Sequence, residues 1–370
     1  MEFPQDFIAQ ILALLPVKSL LRFQCLSKPW FALIRDPHYF IHLKNPNNDN
    51  NRENILIAET FGQEQKKDFF FLNIISSNEE QLSEPVSISP PFFRQENLHH
   101  TSVVGCCNSL ICITSYCITV PSHNYEIVIW NPSIKKYKRL PPIKHPAMHL
   151  NFAFGHDPVN NDYKVLMIEF VWINDRMKAL RIMVYSLKAL SWRRVEDRWP
   201  YKDSISLWSE PTFLNGAFHW LISTTQGTTL LAFDLTTEKF RVQTHPLSIT
   251  MVLGVLGGSL CASGFIEATD NAVWGNDVWM MKEYGVVSSW SRLYHLPMTL
   301  SCRDLAQVLL KDGEKVLMTD HTDTLFWYDI NKKTCRIADV KVLLNIMEKR
   351  YWIMSCAESL LLLDDGDSDN

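Results

Sequence analysis

No stretch of about 18 consecutive apolar residues occurs in the 370 positions, which argues against a membrane-spanning helix. No basic stretch opens the chain, and Glu2, Gln5, Asp6 and Gln10 interrupt its first apolar residues, so a secretory signal is not expected. Excess charge is also lacking. A net charge of −4 provides no basic face for nucleic acid. Cysteines are nine, an odd number, and no C-x-x-C pair occurs among the crowded Cys106, Cys107, Cys112 and Cys117. That crowd reads as buried thiols on a strand, with a zinc site as the weaker alternative, and Cys25, Cys112 and Cys261 read as reduced core residues. The single Asn-x-Ser/Thr triplet, Asn131-Pro132-Ser133, carries proline in the middle and is no glycan acceptor. These absences together point to a reducing compartment, cytoplasm or nucleus.

Catalytic signatures are absent too. There is no Gly-x-Ser-x-Gly, Walker loop, dinucleotide glycine fingerprint or His-Glu-x-x-His. The remaining candidates are His156-Asp157, His219 and Asp320-His321, and each has a structural reading. Gly155-His156-Asp157-Pro158 reads as a turn, His219 sits in a strand between Phe218 and Trp220, and Asp320-His321 lies in a hairpin-like loop. No catalytic residue, metal ligand or cofactor is therefore expected.

What is present divides the chain. Phe7, Ile8, Ile11, Leu12 and Leu15 share one helical face, with Asp6 before it and Pro16 after it. A second helix is expected with Leu20, Phe23 and Leu26 inward and Lys18 and Arg22 outward. Ser27 can cap a third helix, with Pro29 in its first turn and Trp30, Leu33 and Ile34 on its apolar face. Three helices in so short a span make a thin core. Some of Leu12, Leu15, Leu20, Phe23 and Trp30 should then face another surface, either the downstream domain or a partner. Residues 45–54 are almost entirely polar and read as a linker.

Beyond the linker the pattern becomes one of short strands and turns. Five segments repeat at intervals of about 50 residues. In each, a strand ends in an aromatic (Trp130, Tyr185, Phe233, Trp279, Tyr328), and a polar turn and a second apolar residue follow (Tyr137, Trp192, Phe240, Trp290, Cys335). A basic residue comes next: Lys138, Arg193, Arg241, Arg292 and Arg336. The period is that of kelch-like propeller blades, although only Gly257-Gly258 provides the paired glycines of such repeats. Fragments at the two ends, "NILIAET" with "KDFFFLNI" and "YWIMSCAESLLLL", are expected to join as one composite blade. The fold expected is a small all-α unit of three helices (3–44), the linker, then a mostly antiparallel all-β domain (55–364) forming a six-bladed kelch-like β-propeller, and an acidic tail (365–370). A large β-sandwich is the alternative.

Pro4, Ile11-Leu12, Leu15-Pro16-x-Lys18-Ser19-Leu20-x-Arg22-Phe23, Ser27-Lys28-x-Trp30 and Leu33-Ile34 closely resemble the plant F-box, with Phe3 where leucine is usual. The resemblance implies docking on a Skp-type adaptor through Pro4, Ile11, Leu12, Leu15, Pro16, Ser19, Leu20, Arg22, Phe23, Trp30 and Ile34. Through that adaptor it implies assembly with a cullin and a RING protein as an SCF-type ubiquitin ligase. Lys18, Arg22, Lys28, Arg35 and Lys44 outnumber Asp6 and Asp36 here, which suits an acidic adaptor.

"IVIWNPSIKKYKRLP", "FAFGHDPVNNDYKVLMI", "NGAFHWL" and "LLAFDLTTEKF" resemble the plant F-box associated domain, and within it the S-locus F-box and S-locus-F-box-like proteins. Those act in pollen self-incompatibility on secreted ribonucleases. The implied role is a non-catalytic substrate-recognition subunit that delivers a target protein for ubiquitination and degradation. The alternative is a scaffold or decoy. No nucleic acid or membrane partner is expected, and target contacts are expected in loops 116–125, 145–151, 173–180, 199–209 and 266–276.

Overall fold

The computed structural model describes residues 8, 11–12, 15, 17–35, 54–61, 69–76, 81–83, 86–88, 90, 99–117, 123–145, 150–173, 176–201, 206–207, 210–224, 227–243, 252–266, 275–297, 302–309, 315–320, 325–338, 350–356 and 359–360. The expected linker, up to residue 53, and the expected tail lie outside them.

Five blades are each wound from one continuous run of chain: residues 99–145, 150–194, 206–243, 252–297 and 302–337, here blades 1 to 5. The main strands of each blade pair antiparallel in chain order as a meander, with Ile143–His145 added beside His123–Asn131 in blade 1, and with Ser206–Leu207 and Thr212–Leu214 both on Ala217–Thr224 in blade 3. A further sheet closes the ring in the order Arg350–Ser355, Asn54–Phe61, Phe69–Ser76, Gln81–Leu82, with Val86–Ile88 beside Phe69–Ser76. The strand Arg350–Ser355 lies between the first strands of blades 5 and 1, which ties the end of the domain to its beginning. This radial order excludes the sandwich.

Two expectations are corrected. The unit of three helices is replaced, among the described residues, by two complete helices: α1, Val17–Phe23, and α2, Lys28–Arg35. Of the first apolar stretch, Ile8, Ile11 and Leu12 are helical and most of the rest lies outside the described residues. The six blades expected, five repeats and a composite of the domain's two ends, become five blades of continuous chain. The end segments lack the turn-and-aromatic pattern, and they build a closing sheet whose outer strands hold only two and three residues.

The repeat has a plain physical basis. The outer hairpin of each blade pairs the predicted residues directly: Trp130 with Tyr137, Tyr185 with Trp192, Phe233 with Phe240 and Tyr328 with Cys335. The residue after the aromatic caps the turn. Asn131, Asp234 and Asp329 accept turn amides through side-chain oxygens, and Ser186 does so through its hydroxyl. The last turn residue is left-handed in all four, at Lys135, Leu190, Glu238 and Lys333. Blade 4 departs from the expectation. A longer turn with a 3-10 segment at Val287–Ser289 pairs Trp290 with Met281, and Trp279 faces Arg292.

The core is a chain of clusters between neighbouring blades, two of which enclose Trp130 and Trp220, and Trp327 is also fully buried. Each such side chain buries about 150–250 Å². Outermost strands are sheet edges, where basic residues discourage pairing with other chains. Three of them also hold carboxylates: Arg193 with Glu238, Arg241 with Asp234 and Arg292 with Asp277.

Gly155 marks a tight contact between blades 2 and 3. A Cβ there would stand 2.4 Å from the Phe213 ring. Gly155→Ala is expected to cost about 1–3 kcal/mol in urea unfolding, and less in a Phe213→Leu background. An unchanged midpoint would mean that the ring yields freely.

Candidate functional site

Helix α2 begins as the sequence expects. Ser27 Oγ accepts the Trp30 amide at 3.3 Å, and the Ser27 carbonyl accepts that of Phe31. Phe23 and Trp30 meet edge to face at 5.6 Å and lock α1 against α2. The inward side chains Leu12, Leu20 and Ile34 are buried in one cluster that also takes in Leu360 from the far end of the chain. Ile134, from the outer turn of blade 1, packs on its margin.

The expected adaptor-facing residues therefore separate by environment. Leu12, Leu20 and Ile34 are enclosed by their own chain, so the downstream domain covers part of the apolar face. Leu15, Ser19, Phe23 and Trp30 are half-buried, Ile11 and Arg22 are exposed, and Pro4 and Pro16 lie outside the described residues. Two exposed apolar side chains escaped the sequence reading as surface. Leu26 is 63% and Phe31 42% exposed, beside Ile11 at 54%. Phe31 had a signal: it stands one position from Trp30, about 100° off the Trp30–Ile34 face.

Of the propeller candidates, His156 and His219 make structural contacts. Gly155, His156 and Asp157, expected in a turn, instead end the strand Leu150–Asp157, and His156 Nε2 lies 3.0 Å from Asn161 Oδ1 in the turn that follows. His219 is fully buried between the Thr212 carbonyl and the Tyr284 hydroxyl. Asp320 ends the strand Lys315–Asp320, and His321 lies outside the described residues.

Asp157 is the centre of a clamp. It accepts the Val159 and Asn160 amides, Asn160 Nδ2 at 2.7 Å, Thr236 Oγ1 at 2.8 Å and Lys164 Nζ at 2.8 Å. Burial pushes its pKa up, but Lys164, Asn160 and Thr236 outweigh burial and hold the carboxyl well below the usual carboxylate range. Lys164 Nζ also donates to the Leu235 carbonyl at 2.6 Å and to Glu238 at 3.2 Å, both in blade 3. Asn108 of blade 1 donates to the Tyr163 hydroxyl, and Asp162 takes the Ser186 hydroxyl at 2.6 Å. The motif from Phe154 to Val165 thus joins blades 1, 2 and 3 through Tyr163, Lys164 and Asp157.

Burial raises the Cys107 and Cys112 thiols and pushes Cys261 up to about 12, so these are not thiolates at neutral pH. Cys25, expected in the core, is exposed. Among the described residues no cluster of His, Cys, Asp and Glu is placed to hold a metal, and no helix is long and apolar enough to cross a membrane.

Family models agree with this division. One for the F-box domain matches residues 1–42, and one for the F-box associated beta propeller domain matches residues 58–360. F-box protein CPR1 of Arabidopsis thaliana is 28% identical over 378 residues, covering 91% of this chain and 84% of the relative. F-box/kelch-repeat protein At3g23880 of the same plant is 24% identical over 372 residues, covering 93% of this chain and 94% of the relative. The chain belongs to the plant F-box proteins that carry an F-box associated β-propeller domain.

Proposed function

We propose that this protein is a substrate-recognition subunit of an SCF-type ubiquitin ligase. Its helices dock on a Skp-type adaptor, which brings in cullin and RING protein, and its propeller captures a protein for ubiquitination and degradation. Chemistry is left to the RING protein and the conjugating enzyme; this chain contributes proximity.

The observation that carries the reading is the apolar set Ile11, Leu26 and Phe31, exposed on a helical unit whose inward side chains Leu12, Leu20 and Ile34 are already covered. Exposed side chains of this size on so small a unit suit an apolar groove in a partner. Half-buried Leu15 and Trp30, with Arg22, would complete the contact.

Turns joining first to second and third to fourth strands open on one face of the ring, because antiparallel neighbours alternate in direction. Ile134 belongs to one of these turns, so the helices sit on that face. The loops in which target contacts are expected leave the opposite face. One of them is shorter than expected: in 173–180 only 174–175 lie between the strands Asp162–Ile173 and Arg176–Ser186. The S-locus resemblance makes secreted ribonucleases the first target class to try.

Ile11→Asp and Phe31→Asp are expected to leave the circular dichroism of the chain unchanged and to weaken adaptor binding about 30-fold or more each. Equal binding of a purified Skp-type adaptor by wild type and both variants would overturn the reading.

A further inference from the structure

The end of the domain crosses the turn face of blade 1 and reaches the helices. Cys356 is buried among Val103, Ile111, Ile113, Val128 and Trp130. Ser359 is then held at several points. Its amide donates to Ser133 Oγ at 3.2 Å and its hydroxyl to the Asn108 carbonyl at 3.4 Å. Asn131 Nδ2 donates to the Ser359 carbonyl and hydroxyl, both at 3.2 Å. Leu360 follows at once and is buried against Leu12, Leu20 and Ile34.

Asn131 does two things. Its Oδ1 accepts the Ser133 amide and caps the turn, as Asp234 and Asp329 do in blades 3 and 5. Its Nδ2 reaches Ser359, which an aspartate could not do, since a carboxylate has no donor. The asparagine of the Trp-Asn-Pro motif is thus matched to the crossing segment and not to the turn alone.

We propose that Cys356, Ser359 and Leu360 form a strap that fixes the F-box helices on the turn face of blade 1, with Asn131, Ser359 and Leu360 as positioning residues. A helical unit this small has a thin core, and Leu360 completes it from outside. The strap leaves Ile11, Leu26 and Phe31 exposed, so it orients the docking surface without covering it. Its value for ubiquitin transfer rests on the ligase reading: a captured protein is presented in one direction only if propeller and adaptor share one rigid frame.

The exposed Cys25 on the helical unit and Cys335 on blade 5 permit a direct test. Spin labels on this pair, in full-length chain with Cys106, Cys117 and Cys302 replaced by serine, are expected to give one narrow distance distribution. Asn131→Asp, which keeps the turn cap, and Leu360→Asp are expected to broaden it, while Leu360→Met keeps it narrow. Tryptophan fluorescence should show the propeller of each variant unfolding as in wild type. Amides of α1 and α2 should exchange about tenfold faster or more in the two broadened variants.

A broad distribution in wild type, or a narrow one in Leu360→Asp, overturns the strap. Adaptor affinity is expected to stay within about twofold in Asn131→Asp; a rise of about tenfold would make the segment an inhibitory lid and overturn the positioning role. If wild type binds no Skp-type adaptor, the ligase reading fails and the distances still decide the strap.

Discussion

Lys164→Met is expected to lower the stability of the propeller by roughly 3–5 kcal/mol, the cost of stripping one partner from a buried ion pair. Lys164 and Asp157 are both buried and 2.8 Å apart. Without the ammonium, the Asp157 carboxylate keeps its turn amides, Asn160 and Thr236 but loses its counter-charge. The Leu235 carbonyl and Glu238, across in blade 3, lose the Lys164 donor in the same step, although Glu238 keeps Arg193. Methionine fills the volume of the lysine stem, so the loss reports charge rather than a cavity. The Asp157→Asn/Lys164→Met double variant is expected to recover more than half of it, because the uncompensated charge is then gone. Thermal unfolding by tryptophan fluorescence measures all three. A loss below about 1 kcal/mol for Lys164→Met would place the pair with surface ion pairs and refute the clamp.

The clamp also explains what could be read in advance. The motif from Phe154 to Val165 was visible as a string of residues and as a family signature, yet its purpose lies across the ring. Lys164 is 71 positions from the Leu235 carbonyl it donates to. Local pairings were legible because strand, turn and strand adjoin in sequence; hence three aromatic pairs and the Tyr328–Cys335 pair of the outer hairpins follow from spacing alone. Blade 4 misled because Trp279 and Trp290 suggest a pairing that the longer turn shifts to Met281. The helical unit was legible as an apolar face and a Ser27 cap. Which of its residues turn outward was not, because Leu360 and Ile134 come from more than 100 positions away in sequence to bury part of that face. Periodicity assigns side chains to one stripe of a helix and does not say what covers the stripe. Leu12, Leu20 and Ile34 therefore read like Leu15 and Trp30 until the strap is in place.

Stability should fall on mild acidification, and His219 should be a main cause. Its Nδ1 donates to the Thr212 carbonyl at 3.1 Å, which leaves Nε2 to accept the Tyr284 hydroxyl at 2.9 Å. Tyr284 sits in the long turn of blade 4, so this neutral ring joins blades 3 and 4. Burial lowers the His219 pKa from the ordinary 6.5 to about 4, although the Thr212 carbonyl acts the other way. Above pH 6.5 the ring is neutral in both folded and unfolded chain and costs nothing. As pH falls from there, the unfolded chain takes up the proton and the folded one does not, so folding weakens until the folded ring titrates near 4. The loss across that window is about 3 kcal/mol. Asp157 acts in a lower window. Its depressed folded pKa makes its contribution complete above the unfolded carboxylate value of about 3.9 and lost only below it. Unfolding midpoints from pH 8 to 3 should therefore converge between wild type and His219→Gln as pH drops from 6.5 to 4, the variant starting lower because its two hydrogen bonds are poorly replaced. Asp157→Asn should differ from wild type mainly above pH 4. Parallel profiles for wild type and His219→Gln would mean that the ring takes its proton without opening the blade 3–4 contact, and the neutral bridge to Tyr284 would fall.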